Sequence, residues 1–212
     1  MRFRVVTYNI HRAIGVDRRF RPERIVEIVG GYKPDLVLLQ EVDDGAPRSR
    51  ELDLAKELSR DLDLPYRAVG HNVTLRKGRY GNATLSRFPI LSERNIDLTI
   101  GLLKRRGCQH TALELKAPSG GGTRHRLDVF NLHLGLSARE RARQLERLAR
   151  SDEFEKLPAE AACLVAGDFN DWRSLLAPLM TSGMGFRSAT DSATGRPFLT
   201  FPSFFPQGPL DR

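Results

Sequence analysis

The 212 residues are 40% hydrophobic and 28% charged, the balance of a globular chain with one substantial core, which argues against disorder as an overall description. Basic residues outnumber acidic ones 34 to 26, a net charge of +8 that suits a phosphate-bearing partner such as nucleic acid, an inositol phosphate or an anionic lipid surface. No apolar run approaches the roughly 20 residues needed to span a bilayer, and Met1-Arg2-Phe3-Arg4 enters a strand-like run with no room for a signal peptide, so the expectation is a cytoplasmic protein.

Residues 2–9 read as a strand centred on Val5-Val6. Pro22 suits the first position of a helix whose stripe is Ile25, Ile28 and Val29, closed by Gly30-Gly31. The continuous apolar run 36–39 marks a strand covered on both faces. Leu52, Leu54, Ala55 and Leu58 suggest a second helix before Pro65. Segments 80–86 and 90–98 read as neighbouring strands joined through Arg87-Phe88-Pro89, and 109–116 and 124–133 as another pair around the turn Ser119-Gly120-Gly121-Gly122. Ser137 with Glu140 forms a capping box for a helix whose Ala138, Ala142, Leu145, Leu148 and Ala149 face the core. Residues 161–166 are one more buried strand, and the glycine- and proline-rich stretch 181–209 is left without elements. The two cysteines, Cys108 and Cys163, offer no disulfide framework and no C-x-x-C. Cys108 and His110 could share a strand face as metal ligands, but two separate half-buried residues is the preferred reading.

One pattern occurs four times. Val5-Val6-Thr7-Tyr8 runs into Asn9 and His11, and Leu36-Val37-Leu38-Leu39 into Gln40 and Glu41. Val129-Phe130 runs into Asn131 and His133, and Leu164-Val165-Ala166-Gly167 into Asp168 and Asn170. Each is an apolar strand with polar groups at its carboxyl end, where ligands collect in layered α/β proteins. Singly, each has a bland alternative, a salt bridge for Glu41 or an Asx-turn for Asp168; four together favour a site. Cleaving a phosphate ester builds negative charge that a hard cation can neutralise. Glu41 is the obvious carboxylate ligand and Asn9 a neutral oxygen donor. An aspartate to accept a proton from water, a histidine facing phosphate or leaving group, and an amide donor complete the requirement.

Thr7-Tyr8-Asn9-Ile10-His11, Gln40-Glu41, Asn131-Leu132-His133-Leu134 and Gly167-Asp168-Phe169-Asn170, in this order, resemble the endonuclease/exonuclease/phosphatase superfamily with its DNase I-like fold. The segments Tyr80-Gly81-Asn82-Ala83-Thr84-Leu85-Ser86 and Thr200-Phe201-Pro202-Ser203 resemble the family as well. The resemblance implies an α/β (α+β) four-layer sandwich, two mixed β-sheets face to face with helices outside, and Mg²⁺- or Mn²⁺-dependent hydrolysis of a phosphate ester. It implies Asn9, Glu41 and Asp211 at the metal, His133 and Asp168 in catalysis with Asn170 stabilising the transition state, and His11, Asn82 and Arg212 at the substrate phosphate. Asp211 counts among the catalytic residues too. Arg139 and Gln144 would support the site from the following helix. The family's terminal Ser-Asp-His is here Leu210-Asp211-Arg212; an arginine cannot shuttle protons but can clamp phosphate in bidentate fashion.

The expectation is therefore one domain over residues 1–212, lacking or ending before the family's last strand, with a phosphate-ester substrate, nucleic acid or phospholipid headgroup among the options, and no protein partner. The alternative is a catalytically weakened or silent phosphate- or nucleic-acid-binding module of the same fold. His11-Arg12, Arg18-Arg19-Phe20-Arg21 and Arg76-Lys77-Gly78-Arg79 could line a phosphate-rich groove, although such runs more often are solvated loops. Phe201, Phe204 and Phe205 could form an apolar rim for a lipid.

Overall fold

The computed structural model describes residues 2–116, 124–158 and 160–189, in which helices flank a central run of five consecutive strands. In chain order these are β1 (Val5–Asn9), α1 (Pro22–Gly31), β2 (Leu36–Asp44), α2 (Leu54–Asp61), β3 (Tyr66–Thr74), β4 (Arg79–Ser86), β5 (Ile90–Asp97), β6 (Gly107–Lys116), β7 (Arg124–His133), α3 (Ala138–Ala149), α4 (Asp152–Glu155) and β8 (Ala162–Asp168). They form two four-stranded sheets, ordered β1-β2-β4-β3 and β5-β6-β7-β8. Each is mixed: β1 with β2 and β7 with β8 run parallel, and the remaining pairs are antiparallel.

Three apolar layers hold four layers of backbone together. Outside the first sheet, Val37, Leu39, Ala83 and Leu85 pack on Ile25, Val29, Leu54 and Leu58 of α1 and α2. Outside the second, Cys108, Phe130 and Leu132 pack on Leu145 and Leu148 of α3. Between the sheets lie Leu36, Leu38, Leu113, Leu115, Leu127, Val129 and Ala166. The continuous apolar run in β2 follows from this, because its even and odd positions feed two different cores. The result is the four-layer sandwich expected from the motifs.

Several local expectations need correction. β4 and β5 do not pair; they belong to different sheets. Proline cannot donate to a ladder, so the Arg87-Phe88-Pro89 link turns the chain across, with Phe88 against Phe3 (centroids 5.9 Å) at the edge of the inter-sheet core. β3 has no counterpart in the sequence reading. Among the described residues it pairs only with β4, as an edge strand, and an edge strand carries little apolar alternation. Ile28 and Ala138 face solvent rather than the core, while α3 buries Glu140, Arg141 and Gln144 beside its two leucines. Ser137 Oγ accepts from the Glu140 N–H at 3.2 Å, but the Glu140 carboxylate accepts from Gln144, so only half of the capping box forms. Cys108 and His110 share the outer face of β6 without joining in a metal site. His110 stacks on Phe130 (centroids 4.6 Å) and its Nε2 meets Asp128 at 2.8 Å, and both thiols are free. The turn 119–122, Thr200-Phe201-Pro202-Ser203, Phe204, Phe205, Asp211 and Arg212 lie outside the described residues.

Candidate active site

Along the strands the inter-sheet layer changes character. On β2 the inward positions pass from Leu36 and Leu38 to Gln40; on β7 they pass from Val129 to Asn131 and His133. On the same layer Thr84 donates to Gln109 Oε1 at 2.7 Å. Asn131, wholly buried, ties the sheets together: Nδ2 donates to Leu39 O (3.2 Å) and Ala83 O (3.0 Å), and Oδ1 accepts from Gln40 Nε2 (2.7 Å). Asn82 joins this clasp, donating to Asn131 O (2.9 Å) and Gly107 O (3.2 Å). Both amide N–H groups of Asn82 are thus engaged, and its buried Oδ1 has no hydrogen-bond partner among the described residues.

Beyond the clasp lie the site residues. Register sets His133 directly beside Asp168 on the parallel pair β7–β8. Gly167 makes that pairing possible: its φ is +135°, and a Cβ there would stand 2.1 Å from Leu132 O. Asp168 is the hub. Its Oδ2 accepts from Asn9 Nδ2 at 2.9 Å and lies 3.5 Å from His133 Nε2, and its Oδ1 accepts the Asn170 N–H at 2.9 Å. Asn170 is held at φ +51°, which asparagine tolerates better than most residues, and its Nδ2 donates to Leu134 O at 2.9 Å.

Glu41 owes its position to a bulge. The β2–β4 register shifts between Leu39 and Val42, and Glu41 sits in it at φ +56°. Strict alternation would send Glu41 after Leu39 into the helix-side core; the extra residue frees it and returns Val42 to that core. Arg12 Nε approaches Glu41 Oε2 at 3.7 Å. His11, Arg12 and Ala13 all have positive φ (45°, 62° and 56°), so the turn after β1 is strained, as backbone near functional sites often is. Asn9 Oδ1 accepts the His11 N–H at 3.1 Å and so holds this turn. The His11 ring is engaged locally, by Ile14 O at 3.1 Å and by Arg12.

Burial pushes the Asp168 carboxyl above its ordinary value; the Asn9 and Asn170 hydrogen bonds and Arg106 pull against this, and Glu41 adds to it. Burial drives His133 well below the usual imidazole range, and Arg106 and Lys104 push the same way. The ring is therefore neutral at pH 7.

Arg106 has no counterpart in the sequence reading. It is buried at the start of β6, with its guanidinium 2.8 Å from His133 Nε2 and 3.1 Å from Nδ1. An arginine only donates, so the ring nitrogen that faces it offers a lone pair. Lys104-Arg105-Arg106 looks in sequence like one solvated cationic run, and nothing in it singles out the third member. Of the helix residues, Gln144 accepts the Gly135 N–H at 2.8 Å and so shapes the loop after β7, whereas Arg139 faces solvent. Lys77 is paired with Glu51, and Arg79 with Asp44 at 2.8 Å.

Among the described residues no group of three or more His, Cys, Asp or Glu is arranged to hold a metal ion. The oxygen donors present nevertheless fit a hard divalent cation, which takes one or two carboxylates plus water and substrate oxygens. Glu41 and Asp168 lie close enough for one carboxylate to raise the proton affinity of the other, a repulsion that a cation relieves.

Comparison with known proteins agrees with this layout. Residues 6–212 match the profile of the Endonuclease/Exonuclease/phosphatase family. The uncharacterized protein YbhP of Escherichia coli (strain K12) is 34% identical over 218 residues, spanning 99% of this chain and 83% of its own. Among solved structures, an endonuclease/exonuclease/phosphatase from Beutenbergia cavernae aligns with a TM-score of 0.63 at 23% identity, over 80% of this chain and 48% of its own. ANGEL2, a 2′,3′-cyclic phosphatase, aligns with a TM-score of 0.61 at 16% identity, over 94% of this chain and 64% of its own. A humanized Danio rerio TDP2 gives 0.59 at 17% identity, over 89% and 72%. At such identities the structures speak to the fold, and the profile and the YbhP relative to descent: the chain belongs to the Endonuclease/Exonuclease/phosphatase family.

Proposed function

We propose that the chain is one catalytic domain that hydrolyses a phosphate ester, a phosphodiester or phosphomonoester, with Mg²⁺ or Mn²⁺ as cofactor. The observation that carries this reading is the buried Asp168 carboxylate, held by Asn9 and Asn170 and 3.5 Å from a neutral His133. In it Glu41 and Asn9 would hold the cation, which would supply neutralisation of the charge growing on the phosphoryl oxygens. Asp168 takes a proton from the attacking water, and its raised proton affinity suits that task. His133, kept neutral by burial and Arg106, donates a hydrogen bond to the phosphate or leaving oxygen. Asn170 has one amide N–H beyond its bond to Leu134 O for the transition state. Asp211 as a further metal and catalytic residue, Arg212 as a phosphate clamp, and His11 and Asn82 as phosphate contacts rest on the family resemblance. Of these, Asn82 would have to exchange one of its two carbonyl bonds to reach a substrate.

The test is turnover of chromogenic aryl phosphodiester and phosphomonoester substrates in EDTA and then in Mg²⁺ or Mn²⁺. Metal-dependent turnover of at least one is expected, reduced by about 10²-fold or more in Asp168→Asn and His133→Ala. No metal-dependent turnover together with tight nucleic-acid binding would replace this reading with a silent binding module.

A further inference from the structure

Three loops leave the second sheet at the end that carries the candidate site: 98–106 before β6, 134–137 after β7, and 169–176 after β8. Register sets Gly107 beside His133 and His133 beside Asp168. Adjacent strands lie about 4.8 Å apart, so the three loops emerge within roughly 10 Å of one another. Each turns apolar side chains to solvent. Leu102 is fully exposed and Leu103 52% exposed in the first loop, Leu136 70% in the second, and Trp172 44% and Leu175 55% in the third. Exposed cations accompany them: Lys104 and Arg105, then Arg139, then Arg173. Positions 98–106, 134–139 and 172–176 contain no acidic residue.

We infer that this rim docks the protein onto an anionic lipid bilayer, presenting the site to phosphate esters at the membrane surface. The inference deepens the phosphoesterase reading and rests on it for the choice of substrate. Single exposed leucines are ordinary on a protein surface; a set gathered around a site is not. Apolar side chains interleaved with cations match a headgroup layer, where leucine and tryptophan enter the acyl boundary and lysine and arginine meet anionic phosphates. A nucleic acid backbone would use the cations but leave the leucines in water. Among the described residues no helix is long and apolar enough to cross a membrane.

Trp172 is the one tryptophan in the sequence, so its fluorescence reports from the rim itself. With vesicles of phosphatidylcholine and phosphatidylglycerol, its emission is expected to shift to the blue, and the protein to co-sediment. Phosphatidylcholine vesicles alone should produce much less of either, and salt should weaken both. The double variant Leu102→Asp/Leu103→Asp should partition at least about tenfold more weakly, while its turnover of a soluble chromogenic diester equals that of the wild type. Lys104→Gln/Arg105→Gln should lose the preference for anionic vesicles. Equal partitioning of the leucine variant, no vesicle binding at all, or binding confined to a single-stranded oligonucleotide would each overturn the inference. Vesicle binding without soluble turnover would leave the docking face standing and remove the catalytic reading.

Discussion

Replacing Asn131 by alanine tests the clasp on which the site is mounted. Its side chain makes three hydrogen bonds between the sheets, to Leu39 O, Ala83 O and Gln40 Nε2, in a place with no access to water. At about 1 kcal/mol net for each bond, plus a small cavity, the loss comes to about 3–4 kcal/mol. Gln40 Nε2 keeps Leu38 O at 3.1 Å and Thr7 Oγ1 at 3.3 Å, so it is not orphaned and adds no larger penalty. Asn131→Asp should be worse than alanine, because a carboxylate would face two carbonyl oxygens that now receive N–H groups. Urea denaturation at neutral pH measures both: the midpoint should fall with the slope unchanged. Domains are commonly stable by roughly 5–15 kcal/mol, so both variants should still give measurable curves. An alanine variant within about 1 kcal/mol of wild type, or an aspartate variant more stable than alanine, would refute the account of the clasp.

Because the folded His133 has a proton affinity well below its unfolded value, the unfolded chain binds the extra proton as pH drops below the ordinary imidazole value. Its contribution to stability is therefore full above about pH 6.5 and is lost below it, by up to ~1.4 kcal/mol per pH unit. Denaturation midpoints across this range should slope more steeply in wild type than in His133→Gln, and equal slopes would count against a buried neutral ring. Gly167→Ala puts a Cβ 2.1 Å from Leu132 O at φ +135°; we expect a loss of about 3 kcal/mol or more, or failure to accumulate folded protein, read by denaturation and by soluble yield. Mg²⁺ at a hundred times its dissociation constant should stabilise the wild type by about 2.7 kcal/mol, and Glu41→Gln should abolish most of that shift in a thermal melt. A variant that kept the full shift would move the metal site elsewhere.

Much of the layer plan was readable because apolar strand runs and amphipathic helices each obey a simple period. The run at 36–39 announced a strand with a core on each side, and the inter-sheet and helix-side cores of β2 bear this out. Sheet membership was less legible: nothing local in Arg87-Phe88-Pro89 says whether a chain turns back into its own sheet or crosses to another, and the outcome depends on where Phe88 finds a partner. The four strand-end clusters did mark one region, yet residue type did not divide it into parts. Gln40 and Asn131 look as functional as Asn9 and Asn170 in sequence, and only burial and bonding set them apart as the clasp. Glu41 escapes the helix-side core through a bulge that no pattern in Leu38-Leu39-Gln40-Glu41-Val42 specifies. Arg106 was invisible because burial, which distinguishes it from Lys104 and Arg105, is set by strand β6 and not by its neighbours.

The gradient along the inter-sheet layer explains why the site lies where it does. Leucine and valine fill the layer up to Leu38 and Val129; past them the sheets are joined by amides whose N–H groups donate to one another's oxygens and to backbone carbonyls. Such a clasp tolerates neither a slip of register nor a change of spacing, since each misplacement leaves buried polar groups unpaired at about 1–3 kcal/mol apiece. His133 and Asp168 sit two residues further out on β7 and β8, and Asn9 stands beside Gln40 on β1, all on strands whose relative position the clasp has already fixed. Asp168 can then be both buried enough to hold a proton more firmly and close enough to Asn9 and Asn170 to be aimed. Arg106 belongs to the same arrangement: its guanidinium lies against a neutral imidazole and already favours the Asp168 carboxylate, and the same field would favour an anion that arrives beside His133.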